Sequence, residues 1–188
     1  MKAMPLPPPG AVLLLIDLQK AIDHPDFGAR NNPDAEHNIS QLLGHWRRHQ
    51  WPVWHIRHDS TDPVSHYRPG QPGHDFKPEA APLMTEPVIA KKTNDAFIGT
   101  DLEARLRSGG YGAIVVAGVT TNISVEGTIR TSGNHGFATY LVSDACFTFG
   151  RLDANGALRS AQEVHAMSIA NLDGEFCTLT TTRDLLGP

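Results

Sequence analysis

A doubly wound α/β sheet is the fold this sequence predicts. Three observations carry the prediction. Six short apolar runs recur along the chain, mostly separated by segments with helical periodicity. The first run is continuous rather than alternating, as in strands covered on both faces. The length, 188 residues, suits one domain with one sizeable core. Right-handed crossovers make 3-2-1-4-5-6 the default strand order. The expectation is a single-domain, mainly parallel six-stranded sheet with helices on both faces.

The elements follow in order. Residues 1–10, rich in proline and without the apolar stretch of a signal peptide, read as a loose arm before a domain spanning 11–188. Residues 11–16 are the first strand. Residues 38–50 are a helix with Ile39, Leu42, Leu43 and Trp46 on one face, begun by Pro33-Asp34 and ended by Trp51-Pro52. Residues 53–57 are the second strand. The long polar segment 58–85, rich in Pro, Gly and His, is the kind of loop that serves function or subunit contact. Residues 87–91 are the third strand, and 101–108 a short helix closed by Gly109-Gly110. Residues 113–117 are the fourth strand, and 122–135 a helix ending at Gly136. Residues 137–142 are the fifth strand, 157–172 a helix, and 175–179 the sixth strand before a short tail helix.

Composition excludes several functions. Hydrophobic residues are 40% and charged residues 19%, ordinary for a globular protein. With a net charge of −4 and no basic cluster, nucleic acid is not an expected partner. No apolar run approaches the roughly 20 residues of a membrane span. Cys146 and Cys177 form no metal or redox motif and are expected as reduced thiols in a cytoplasmic protein, both more structural than reactive. His58, Asp59 and His66 lie close in sequence, but they read better as polar loop residues. No metal and no cofactor is expected.

In a doubly wound sheet, ligands bind beyond the carboxyl ends of the strands, where the winding reverses. Here the reversal falls between strands one and four. Asp17 ends strand one, Lys91 ends strand three, and Ser124 follows strand four behind a Gly118-Val-Thr-Thr turn. A nucleophile in the first turn of a helix meets the positive end of its dipole. Blander readings exist. Asp17 can cap a loop, Thr120 and Thr121 can cap the helix, and Lys92 rivals Lys91. Adjacent strand residues point to opposite faces, so one of the two lysines enters the site. Gln19, Trp54, Tyr67, Phe76 and Phe97 are candidate substrate-binding residues, although aromatics are more often core.

The chain resembles the isochorismatase-like, or cysteine hydrolase, superfamily over about residues 11–180. The resemblance rests on Leu15-Ile-Asp-Leu-Gln19, Val53-Trp-His-Ile-Arg-His-Asp59, Val88-Ile-Ala-Lys91 with Ala96-Phe97, Gly118-Val-Thr-Thr121, and Glu163-Val-His165 with Glu175-Phe176. It implies Asp17 as general base, Lys91 as the residue that assists ionisation, and position 124 as the nucleophile. It also implies a cis peptide around Val119-Thr120. Backbone N–H groups there and at Ser124 would form an oxyanion hole. Nicotinamidase relatives carry an Asp/His/His metal site near the 58–66 region, whose spacing this chain does not match well.

The departure is serine where the family has cysteine. A hydroxyl is far harder to ionise than a thiol of pKa about 8.5. The serine is native, replaces a cysteine by engineering, or marks a non-catalytic relative. The leading expectation is a hydrolase acting on a small molecule, cleaving an amide-type C–N bond through Asp17, Lys91 and Ser124. The alternatives are non-covalent vinyl ether hydrolysis with Asp17 as acid, and an inactive small-molecule binder. The resemblance also implies a homo-oligomer, dimer or tetramer, in which a neighbour buries part of segment 58–85.

Overall fold

The computed structural model describes residues 6–187. The chain runs through β1 (Val12–Ile16), α1 (Ala35–Arg48), β2 (Val53–His58), β3 (Val88–Lys91), α2 (Leu102–Ser108) and β4 (Ala113–Val119). It continues through α3 (Glu126–Asn134), β5 (Ala138–Phe147), β6 (Arg151–Leu152), β7 (Leu158–Arg159), α4 (Ala161–Leu172), β8 (Thr178–Thr180) and α5 (Thr182–Leu186). Six parallel strands form one sheet in the order β3-β2-β1-β4-β5-β8. This is the expected order, with β8 as the sixth sheet strand. Among the described residues no helix is long and apolar enough to cross a membrane.

The unbroken apolar run of β1 explains its central place. All five of its side chains are buried, divided between two cores on opposite faces of the sheet. Leu13 and Leu15 meet α1 through Ile39, Leu42, Leu43 and Trp46. Val12, Leu14 and Ile16 join Leu102, Leu106, Ile129 and Leu172, contributed by α2, α3 and α4. Each such aliphatic side chain contributes about 1.5–3 kcal/mol by leaving water. Trp46 also donates its indole N–H to the Ala11 carbonyl at 2.8 Å, which ties α1 to the start of β1.

Several boundaries differ from the expectations. β5 extends to Phe147 because a register shift between Val116 and Gly118 lets pairing resume at Gly118 with Cys146. Cys146 therefore lies inside the strand. Residues 157–160 are not helical. A small antiparallel hairpin, β6 with β7, occupies this stretch. Helix α4 begins only after Ser160, whose hydroxyl accepts the Glu163 N–H while the Glu163 carboxylate accepts the Ser160 N–H. Segment 58–85 contains two short 3-10 turns and is fastened to its own chain. Lys77, buried at its ammonium, bridges Asp23 and Glu36, and its backbone N–H bonds to the Leu18 carbonyl.

Candidate active site

The site is assembled by two backbone features at the carboxyl edge of the sheet. β1 ends at Asp17, whose φ of 53° is left-handed, a conformation aspartate tolerates better than most residues. Opposite the end of β1 stands Gly118, paired with Ile16. A Cβ built on Gly118 would lie 2.2 Å from the Ile16 carbonyl oxygen, and its φ is +128°. Only glycine lets β4 pass this close to β1. The Val119–Thr120 peptide that follows is cis. A π-helical turn, Thr121–Val125, then leads into α3 and carries Ser124, so the helix proper starts at Glu126 rather than 122. The Thr120 side chain makes no capping bond, and Thr121 Oγ1 lies 2.9 Å from His165 Nδ1 of α4.

Lys91, the last residue of β3, is 1% exposed, and a buried ammonium requires partners. It donates to Asp17 Oδ2 at 2.7 Å and to the Thr93 carbonyl at 3.0 Å. His58 Nδ1 lies at 3.3 Å and Ser124 Oγ at 3.4 Å. The three residues expected from the sequence thus meet at one point. Asp17 Oδ1 is buried and makes no hydrogen bond, so it is a free acceptor on a carboxyl that the Ser124 hydroxyl acts upon. Burial pushes the Asp17 carboxyl above its ordinary value. Lys91, the Ser124 hydroxyl and His58 pull it down, and burial wins. Lys91 therefore only partly offsets a shift that makes Asp17 more basic.

The cavity in front of these groups has a volume of about 490 Å³. Asp17, His58, Tyr67, Thr120 and Ser124 line it. So do Phe27 and Phe149, stacked at 5.2 Å, and the polar Asn94, Asn122 and Arg151. Burial pushes the Tyr67 hydroxyl well above its ordinary value, with Asp17 adding to the shift, so it stays protonated. Of the five expected substrate-binding residues, Tyr67 alone lines this cavity. Gln19 is fully buried and spent on structure, with its amide bonded to the His58 carbonyl and N–H and the His74 carbonyl. Trp54 packs on Tyr111 within the sheet core. Phe76 packs edge-on against His55, and Phe97 lies against Phe137. Phe27, Phe149 and Asn94 went unforeseen because turns deliver them, and Arg151 because it sits in a two-residue strand. His58 had a signal, since it ends β2 as Lys91 ends β3.

Two other groups were candidates for chemistry. Cys146 and Cys177 are both buried, and burial pushes each thiol up to about 12. Neither lines the cavity. Asp59 is engaged by Arg57 and His74 rather than by His58 and His66. The one group of metal-ligand types among the described residues is His24, Asp26 and His66. Its two imidazoles stack face to face at 3.5 Å with 18° between planes. Two histidines on one ion aim their in-plane lone pairs at it, which stacked rings do not. The cluster fits a hydrogen bond from His66 to Asp26, at 3.0 Å, better than an ion.

A model of the isochorismatase domain matches residues 11–184. The chain belongs to the isochorismatase family. This isochorismatase-family hydrolase is 42% identical to the family protein YrdC of Bacillus subtilis over 174 residues, covering 93% of each chain. It is similar to the crystal structure of an isochorismatase-family protein from Chromobacterium violaceum, with 56% identity, a TM-score of 0.94 and 97% of each chain covered. A more distant relative is nicotinamidase 3 of Arabidopsis thaliana, 27% identical over 94% of this chain and 89% of that protein.

Proposed function

We propose that this hydrolase cleaves an amide-type C–N bond in a small molecule, with Asp17, Lys91 and Ser124 as its working residues. The observation that carries the reading is the convergence of all three on one buried point at the cavity floor. The Ser124 oxygen attacks the carbonyl carbon while Asp17 takes the hydroxyl proton. Asp17 returns that proton to the leaving amine, and water then releases the acyl group by the reverse relay. Backbone N–H groups of the Val119–Ser124 turn stabilise the developing oxyanion. A hydroxyl needs a stronger base than a thiol does, and burial makes Asp17 such a base. The distant nicotinamidase relative supports an amide substrate.

A second reading keeps Asp17 as an acid that protonates a vinyl ether, with no covalent step. Its support is the same upward shift of Asp17, which favours a proton-bearing carboxyl. Ammonia or amine release from a panel of small carboxamides and carbamoyl compounds tests the first reading. Turnover supports it, and failure across the panel, with vinyl ether cleavage instead, supports the second.

The chain is also proposed to self-associate. Val64 and Met84 of segment 58–85 are exposed. A groove of about 830 Å³ between the β6–β7 hairpin and α4 carries the exposed apolar side chains Leu152 and Met167. An apolar groove of this kind suits contact with a second copy, while its rim charges Arg159, Asp153 and Glu163 pair within the chain. Light scattering giving a mass near 20.4 kDa at micromolar concentration would reject this.

A further inference from the structure

Lys91 presents three N–H donors to four acceptors: Asp17 Oδ2, the Thr93 carbonyl, His58 Nδ1 and Ser124 Oγ. One acceptor must go without. We propose that His58 is a positioning residue for Lys91, and that its unprotonated Nδ1 takes the third N–H and so leaves the Ser124 hydroxyl to turn its proton towards Asp17. The inference rests on the hydrolase reading for its consequence, but not for the hydrogen bond itself.

The placement is built rather than incidental. His58 and Lys91 are register partners at the ends of β2 and β3. Gln19 clamps both the N–H and the carbonyl of His58, at 2.7 and 3.1 Å, which fixes the backbone that carries the ring. Tyr67 meets the ring edge-on at 5.7 Å. The charged and titratable groups facing the imidazole are Asp17 from the end of β1, Lys91 from β3, Tyr67 from the long loop, and its neighbour Asp59. Asp59 is already engaged by Arg57 and His74. Burial, then the Lys91 charge, favours the neutral ring, and Asp17, Asp59 and the Thr93 carbonyl oppose this less strongly. A protonated ring would point an N–H at the ammonium. Lys91 would then turn its third donor to Ser124 Oγ and occupy a lone pair the nucleophile needs.

Long-range nitrogen–proton NMR on the intact protein reads the tautomer directly. At pH 7.5 the expected result for His58 is a proton on Nε2 and a bare Nδ1 whose shift moves when Lys91 is replaced by Met. A proton on Nδ1 at that pH overturns the proposal. The second arm compares His58→Ala with His58→Asn, whose amide oxygen can still accept. Alanine should lower kcat about tenfold, as loss of one positioning hydrogen bond would, with KM little changed. Asparagine should restore most of kcat and carry the acid limb of the pH profile to lower pH. Equal behaviour of the two variants, or an unmoved acid limb, overturns it. If no amide is turned over by the unmodified protein, the hydrolase reading fails while the NMR result still decides His58.

Discussion

Lys91 and Asp17 form a buried ion pair, with Nζ 2.7 Å from Oδ2 and both side chains almost wholly out of water. Such a pair costs desolvation on both sides, and removing one member leaves the other charge uncompensated. Function, rather than stability, accounts best for a buried ammonium and a half-bonded carboxylate at a cavity floor.

Lys91→Met should therefore destabilise the protein by about 3 kcal/mol near neutral pH, where Asp17 is left as an unpaired buried carboxylate. Asp17 has its folded pKa raised by burial, so it readily takes a proton when the ammonium is gone. The loss should shrink as pH falls. Urea unfolding of both proteins at pH 7.5 and 5 measures this. A variant as stable as its parent at pH 7.5 would contradict the account of the pair.

Acid should weaken the fold through two other carboxylates. Burial opposes ionisation of Glu36 and Glu86, but bonds from Arg30 and Lys77 to the first, and from Arg47, the Leu83 N–H and His55 to the second, hold each down to about 2. Each folded value lies below the ordinary 4.5. Their stabilisation is fully present above the unfolded value and is lost as pH falls through the folded one. Asp17, shifted upwards, works in the opposite sense. The urea midpoint should fall from about pH 5 towards pH 2, and Glu36→Gln should flatten that slope. An unchanged slope in the variant would contradict it.

The two thiols should be inert in the native protein. Cys146 and Cys177 are buried, with thiols pushed up to about 12, so neither offers a thiolate at pH 8. A thiol-disulfide reagent should label neither within hours under native conditions and both in urea. Rapid labelling of Cys146 under native conditions would contradict this.

Much of the fold was legible because β1 and residues 113–117 of β4 are uninterrupted aliphatic runs and because strand order follows from crossover handedness. The positions of Asp17, Lys91 and Ser124 followed from strand ends and motif spacing. The hairpin was not legible, since strands of two residues carry no period. The Ser160 to Glu163 capping box was a readable start signal for α4 that marks its boundary better than the apolar period does. Gln19 misled because a polar motif residue two positions after a strand-end aspartate suggests ligand contact, whereas it ties two backbones together. Phe27 and Phe149 reach the cavity from turns separated by most of the chain, and no local pattern brings them together.

The most direct test of the central claim is kcat/KM for carboxamide hydrolysis in Asp17→Asn and Ser124→Ala beside the unmodified protein. If Asp17 activates Ser124 for covalent attack, each variant should lose at least about 100-fold. The double variant should then be little worse than either single one, because the two act as a unit. Ser124→Ala retaining near-parental kcat/KM while Asp17→Asn is inactive would contradict the covalent mechanism. Near-parental activity in Asp17→Asn would contradict the site as a whole.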